Sequence, residues 1–477
     1  MSDSISGNNG NQVSSKLPLR TKLLYGTGQL TDSISANIFV FFFVFFLTDI
    51  AGVKPATAGL VSLIAVVWDA VTDPIIGYYS DNMNSKYGRR RPLILIASVP
   101  IGIAIWLLFT AVNFTESAKT VYYIAIAMFY YTAYTCYFVP YMALGAEITE
   151  DYNERTSVRF YCLAFQLVGV LVASSGTMIL VEKFATITGS IQIAWSITAG
   201  IFGLLSTLAA IISWNFTRGK EQIIVSAEKE KEQSFFKTII SAVKIRSVQL
   251  LSLAVFVYAI GFSITNGIFV FLMSNNMQLD GGKQVVFWTF FSAIGLFVIP
   301  ISNILGVRMG KRKAYIYMIT LLGTVQMLYS FFNFTFVLLL LFAVIVTLGH
   351  NTYFGLYQSM MYDCCEVYEY KTGFKKEGAI TSIIFLFQKI GFAVGMWLMG
   401  VIMEYTGYVG SASEQTAGAL RGIKMLTTVY APALYIISAL CMILYKLDGK
   451  TFDALKETLT KKKNNEEYDD SSFRDVI

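Results

Sequence analysis

Asp69 and Asp73 stand four residues apart inside the apolar run VVWDAVTDPIIGYY. On a helix that spacing puts both carboxylates on one face. A carboxylate at the centre of a bilayer costs about 2.5 to 3.5 kcal/mol on insertion scales, so the pair must face a cavity, a cation or a basic partner. Two acids this close do not both stay ionised unless a positive charge lies between them. Hard cations prefer oxygen ligands, and Na+ or a proton suits such a pair. A buried salt bridge that only locks helices together is the other reading. Thr72 adds a hydroxyl one residue before Asp73, about 100° around the helix from it. Lys389, in FLFQKIGFAVGMW, is the one basic residue deep in an apolar run. An unpaired ammonium there is neutralised or excluded. Its partner is therefore the Asp69/Asp73 pair or a substrate anion, and a static ion pair between two parts of the chain is the alternative.

Asp32 lies in YGTGQLTDSISANIF among small and hydroxyl residues that suit a polar cavity. It serves either substrate hydrogen bonding or a helix-packing polar cluster. The lone histidine, His350, has no carboxylate four residues away, which favours a packed ring over a proton relay. Five cysteines sit in or beside apolar runs without CxxC or metal spacing, so they read as packing residues. There is no nucleophile–base pair, metal cluster or phosphate loop; an enzyme is the least supported class, and no cofactor is implied.

The elements that must hold these side chains follow from composition. Of 477 residues, 55% are hydrophobic, 15% aromatic and 14% charged, and the mean hydropathy is +0.57. Soluble domains carry roughly 25% charge. Recurrent apolar runs of about 20 residues predict transmembrane helices and not an outer-membrane barrel. Twelve spans are expected at about 23 to 48, 57 to 80, 93 to 113, 120 to 144, 159 to 182, 192 to 214, 248 to 273, 284 to 307, 314 to 331, 335 to 360, 379 to 405 and 425 to 446. The fold class is thus an all-α membrane protein of two six-helix halves, 22–214 and 248–446, joined by a charged linker, 215–247. Within the linker, SAEKEKEQSFFKTIISAVK has the spacing of a short amphipathic surface helix. The ends, 1–21 and 447–477, read as polar tails, and no cleavable signal precedes the first span.

The net charge of +6 is confined to short segments between spans, which argues for solvated loops and against nucleic acid. With the N-terminus inside, about 30 of the 37 basic residues fall on the cytoplasmic side, which places both termini there. The loop YGRRRP after the second span has a counterpart in MGKRKA after the eighth, and EITEDYNER after the fourth in DCCEVYEYKTGFKKEG after the tenth. Such a repeat about an axis along the membrane normal characterises one large transporter class. In these loops Asp81, Gly88, Arg89, Arg90 and Arg91 are expected to form a cytoplasmic gate, Asp81 capping a helix or pairing with an arginine. Plain topology signalling is the alternative. Asp363, Glu366 and Glu369 are the equivalents in the second half, expected to pair with Lys371, Lys375 or Lys376.

The stretches KLLYGTGQLTDS, WDAVTDPIIGYYSDNMNSKYGRRRPLIL, VPYMALGAEITEDYNERT and EYKTGFKKEGAITSIIFLFQKIG resemble the melibiose-permease-like glycoside-pentoside-hexuronide cation symporters of the major facilitator superfamily, from about Lys22 to Lys446. The resemblance implies that Asp69 and Asp73 bind the coupling cation, with Thr135 as a further oxygen ligand, Thr72 where sugar permeases often carry asparagine, and Lys389 near the site. It also implies that Tyr134 lines the sugar pocket. Phe138 stands where a sugar-binding aspartate is found in the family, Met142 replaces a stacking tryptophan, Val66 an arginine, and Cys162 another arginine; Asp32 is offset by one residue. DAVTDP and TCYFVPYMAL are also similar to the lysophospholipid symporter branch, and Phe138 and Met142 would suit an acyl chain.

The expected function is a secondary active symporter of the cell membrane, monomeric, importing a sugar, glycoside or related polar solute with Na+ or H+ by alternating access. A lysolipid symporter is the alternative, and a transport-inactive sensor the reading from another class.

Overall fold

The structure, a computed structural model, describes residues 17–83, 85, 88–148, 152–218, 241–333, 335–373, 377–410, 412, 414–464 and 466–467. Among these, twelve long helices follow one another. The first six are α1 (Leu19–Ile50), α2 (Pro55–Asn82), α3 (Arg91–Leu108), α4 (Glu116–Glu147), α5 (Ser157–Thr188) and α6 (Ile191–Phe216). The second six are α7 (Arg246–Asn276), α8 (Gly281–Met309), α9 (Lys311–Phe331), α10 (Phe336–Thr372), α11 (Glu377–Tyr405) and α12 (Ala417–Leu444). Eleven are long and apolar enough to cross a membrane. The twelfth, α4, has the length, but its seven tyrosines dilute its apolar character. Helices are the natural solution because each satisfies its own backbone polar groups where lipid offers no partner.

The packing repeats itself. α1 lies against α5 and α6 as α7 lies against α11 and α12; α2 meets α4 as α8 meets α10, and α3 meets α6 as α9 meets α12. The matched basic loops do matched work at the face that carries both ends of the described chain. Gly88 and Gly310 take φ of +101° and +80°, which favour glycine. Just beyond them, Arg91 Nη2 donates to the Trp214 carbonyl at 2.8 Å, and Arg312 Nε to that of Met442 at 3.2 Å. Each arginine thereby caps the last helix of its own half, where orphan carbonyls and the helix dipole favour a cation.

α7 is buried on nearly every side, whereas α8 turns Phe297, Ile301 and Ile304 outward, the surface suited to lipid tails. The expected C-terminal tail contains a further helix, α13 (Gly449–Lys463), N-capped by Asp448 and seated through Leu455 and Leu459. Lys462 ties it to the Tyr370 carbonyl at 2.8 Å. The lysine-rich composition of the segment hid this apolar stripe. The predicted linker helix up to residue 240 and the N-terminal tail up to residue 16 lie outside the described residues; the end of that segment, 241–243, is helical with Ala242 buried.

Candidate functional site

Lys389 of α11 places its ammonium between Asp69 and Asp73 of α2. Its Nζ donates to Asp69 Oδ2 at 2.6 Å and also to Asp73 Oδ2. Thr135 of α4 faces the other oxygens, 2.8 Å from Asp69 Oδ1 and 3.1 Å from Asp73 Oδ1. Thr72 is brought close but is turned aside: its hydroxyl donates to the Asp69 carbonyl at 3.1 Å and lies 3.4 Å from Thr135 Oγ1. That is what its 100° offset from Asp73 leads to. The cluster therefore joins the two halves midway along α2 and α11, with two acids, one ammonium and two hydroxyls. It is not sealed: the Asp69 side chain is 4% exposed, but those of Asp73 and Lys389 are 33% and 28% exposed.

A second polar group lies on the first half. Asp32 Oδ1 accepts from Tyr134 Oη and Oδ2 from Gln29 Nε2, each at 2.5 Å. Phe138 stacks on Tyr134 with centroids 5.4 Å apart, and Met142 extends the same face of α4 one turn further. Gln29 was not legible as a site residue, although its i, i+3 spacing to Asp32 is the available signal. In the second half His350 is a packed ring, as its isolation in sequence suggests: Nδ1 is 2.5 Å from Tyr258 Oη, among Phe262, Tyr435 and Tyr258.

The expected gate residues behave differently. Asp81 closes α2, and its side chain lies outside the described residues. Arg90 reaches Ser80 Oγ at 3.2 Å and Arg91 reaches α6, contacts within the first half; Arg89 is half-buried beside Gly88. Asp363 pairs with Lys311, 2.7 Å from both oxygens, where Lys371, Lys375 or Lys376 was expected; Lys375 and Lys376 lie outside the described residues. Lys311 opens α9, which packs against α10. Glu366 is half-buried without an ion pair among the described residues.

At the opposite face the halves are pressed together, a closure that sequence reading missed. A Cβ on Gly400 of α11 would sit 2.2 Å from the Pro55 carbonyl oxygen, and one on Gly59 of α2 would lie 2.8 Å from the Met396 carbonyl. Such small-residue crossings let membrane helices approach backbone to backbone. Around them Tyr408 Oη donates to Asp49 Oδ1 at 2.6 Å and accepts from Asn275 Nδ2 at 3.1 Å. Ala56 N–H donates to Glu404 Oε2 at 2.9 Å, and Ser175 Oγ lies 3.0 Å from Thr289 Oγ1. Asp73 and Lys389 stay partly exposed while that end is shut. Gly400→Val is expected to force this closure open. In a background stripped of native cysteines, a cysteine at buried Thr48 should then react with a membrane-impermeant maleimide about ten times faster; an unchanged rate would show that the crossing tolerates the side chain.

Residues 24–449 match the family described as MFS/sugar transport protein. The chain belongs to that family. As a member of it, the chain is a multi-pass membrane transporter and not an enzyme. It is 27% identical over 448 residues to the uncharacterized symporter YnaJ of Bacillus subtilis (strain 168), covering 92% of this chain and 94% of that one. It is 26% identical over 469 residues to the putative sulfoquinovose importer of Escherichia coli (strain K12), covering 96% and 97%. The isoprimeverose transporter of Lactiplantibacillus pentosus is 23% identical over 436 residues, covering 91% and 89%. The major facilitator fold is shared with a bacterial homologue of the human lysosomal transporter Spinster in an inward-facing, unoccupied crystal structure. The TM-score is 0.65 at 14% identity, over 89% of this chain and 96% of that one.

Proposed function

We propose that this transporter is a cation-coupled symporter that imports a sugar-like polar solute, working as a monomer in the cell membrane with both termini cytoplasmic. The observation that carries the reading is the Lys389 bridge to Asp69 and Asp73, in which Asp73 and Lys389 stay partly exposed. Two carboxylates and one ammonium leave one net negative charge in a low-dielectric site. Hydrogen bonding is short by one as well: Thr135 has a single hydroxyl proton but stands within reach of a carboxylate oxygen on each side. One H+ or one Na+ at the Asp69, Asp73 and Thr135 oxygens meets both deficits. In this reading Lys389 and the coupling cation compete for the pair. When the cation leaves toward the cytoplasm, the tethered ammonium takes its place and keeps the acids compensated while the empty carrier resets.

Asp32, Gln29 and Tyr134 supply the hydrogen bonds, and Phe138 an aromatic face, that a hydroxylated ring would use. Relatives named as a sulfoquinovose importer and an isoprimeverose transporter support the solute class. The test is counterflow in proteoliposomes with a panel of radiolabelled sugars, sugar acids and lysolipids. Saturable exchange of a sugar-like solute is expected; exchange of lysolipid alone would overturn the reading. Thr135→Val should weaken cation dependence about tenfold, since it removes the one hydroxyl that faces both acids, buried Asp69 among them. That shift is read as the Na+ or H+ concentration giving half-maximal uptake, and an unchanged midpoint would remove Thr135 from the ligand set.

A further inference from the structure

The last turns of α1 and α7 are built alike and meet at one side chain. In each the helix widens before it ends: Ala51 N–H reaches the Phe46 carbonyl at 2.9 Å and Met277 N–H that of Leu272 at 3.0 Å, five residues back. Asp49 and Asn275 are the fourth residues of these two matched turns, and Tyr408, from the segment after α11, bridges them. The second half thus carries a neutral amide where the first carries an acid, a group that exchanges a proton with water. Wide turns of this kind recur at functional sites.

Among the described residues no basic group lies within ion-pair distance of Asp49. The surrounding charges are committed elsewhere: Lys119 of α4 to the Ala51 carbonyl at 2.7 Å, Lys54 and Glu116 to each other at 3.0 Å, and Glu404 of α11 to the Ala56 N–H at 2.9 Å. Asp49 also stands in the last turn of α1, where the helix dipole opposes an anion. The chain after α11 is pressed onto this turn: a Cβ on Gly410 would lie 2.2 Å from the Thr48 carbonyl oxygen. Asp49 Oδ2 is 2.6 Å from Thr48 Oγ1, whose own proton has the Val44 carbonyl to meet at 3.0 Å. A proton on Oδ2 lets every contact be made at once: Asp49 donates to Thr48, Thr48 to Val44, and Tyr408 to Asp49 Oδ1.

We propose that Asp49 is a proton-operated latch on this closed face. It carries a proton while the two halves are shut over it, and its O–H bond gives that proton up to water when they part. The closed form therefore binds one proton more than the open form, so acid holds this face shut and rising pH frees it. The latch is separate from the Asp69/Asp73 pair and works without solute or coupling ion.

The test places spin labels through Ser117→Cys and Ala417→Cys, exposed on opposite halves at this face, in the full chain stripped of native cysteines and held in lipid nanodiscs without solute. Double electron–electron resonance reads the label separation as pH rises from about 5 to about 8, where an exposed carboxylate is ionised. The open population should grow relative to the closed one by several-fold, with a limit of about tenfold per pH unit for one proton. Asp49→Asn, the amide that the second half already carries, should stay closed and flatten the response. Tyr408→Phe removes the bridge and should favour the open form at every pH while the slope persists. A wild type whose separation ignores pH, or an Asp49→Asn protein with the wild-type slope, overturns the proposal and leaves coupling at Asp69 and Asp73 standing. A Tyr408→Phe protein as closed as wild type overturns it too.

Discussion

Asp69→Asn is expected to abolish uphill accumulation of solute, by at least about 100-fold at a fixed cation gradient, while downhill counterflow continues. Asp69 is the better buried member of the pair and receives both the Lys389 ammonium and a Thr135 contact. Removing one partner of a buried charge cluster costs about 3 to 5 kcal/mol, and each 1.4 kcal/mol is a factor of ten. With one charge gone, the remaining acid is neutralised by Lys389 alone, and no deficit is left for a cation to fill. In the proposed function solute binds at Asp32 and α4, away from this change, so exchange without a gradient should persist. Loss of both activities together would point to misfolding and is checked by size-exclusion behaviour of the purified variant. Retained accumulation would remove Asp69 from the coupling site.

Lys389→Met should act in the opposite direction on the cation. If the ammonium competes with the coupling ion, deleting it raises ion affinity about tenfold, because two acids then share one small cation in a site of low dielectric. Transport should nonetheless fall steeply, because the empty carrier must reset with two uncompensated acids or keep its ion. Calorimetric titration of the purified protein, in sodium at constant pH and with protons in sodium-free buffer, reads the affinity, and net uptake reads the turnover. A static ion pair between α2 and α11 predicts something else: no gain in cation affinity, with only a loss of stability. Lys389→Arg keeps the charge and separates the effect of charge from that of shape.

Much of the architecture was legible because bilayer physics writes it into the chain: runs of about 20 apolar residues give the spans. The Asp69/Asp73/Lys389 triad was legible for the same reason, since charges inside apolar runs must find each other or water. Partner choice at the loops was not. Asp363 looked equally able to meet Lys371, Lys375 or Lys376, and only the packing of α9 on α10 brings Lys311 to it. The closure at Gly59 and Gly400 was silent because a glycine in a membrane helix looks alike whether it faces lipid or a partner backbone. Tyr408, which gathers Asp49 and Asn275, is likewise an ordinary loop tyrosine until three distant segments meet. The docking of α13 depends on two leucines amid lysines, too short a pattern to separate from a solvated tail.

The central claim is that a mobile cation and a tethered ammonium take turns on one pair of acids. The most direct measurement is the solute accumulation ratio in proteoliposomes as the inward Na+ and H+ gradients are varied independently, for wild type and for Asp69→Asn/Asp73→Asn. The account predicts a ratio that rises with one of the two gradients in wild type and stays at unity in the double variant. A ratio indifferent to both gradients, or one that survives loss of both carboxylates, would contradict it.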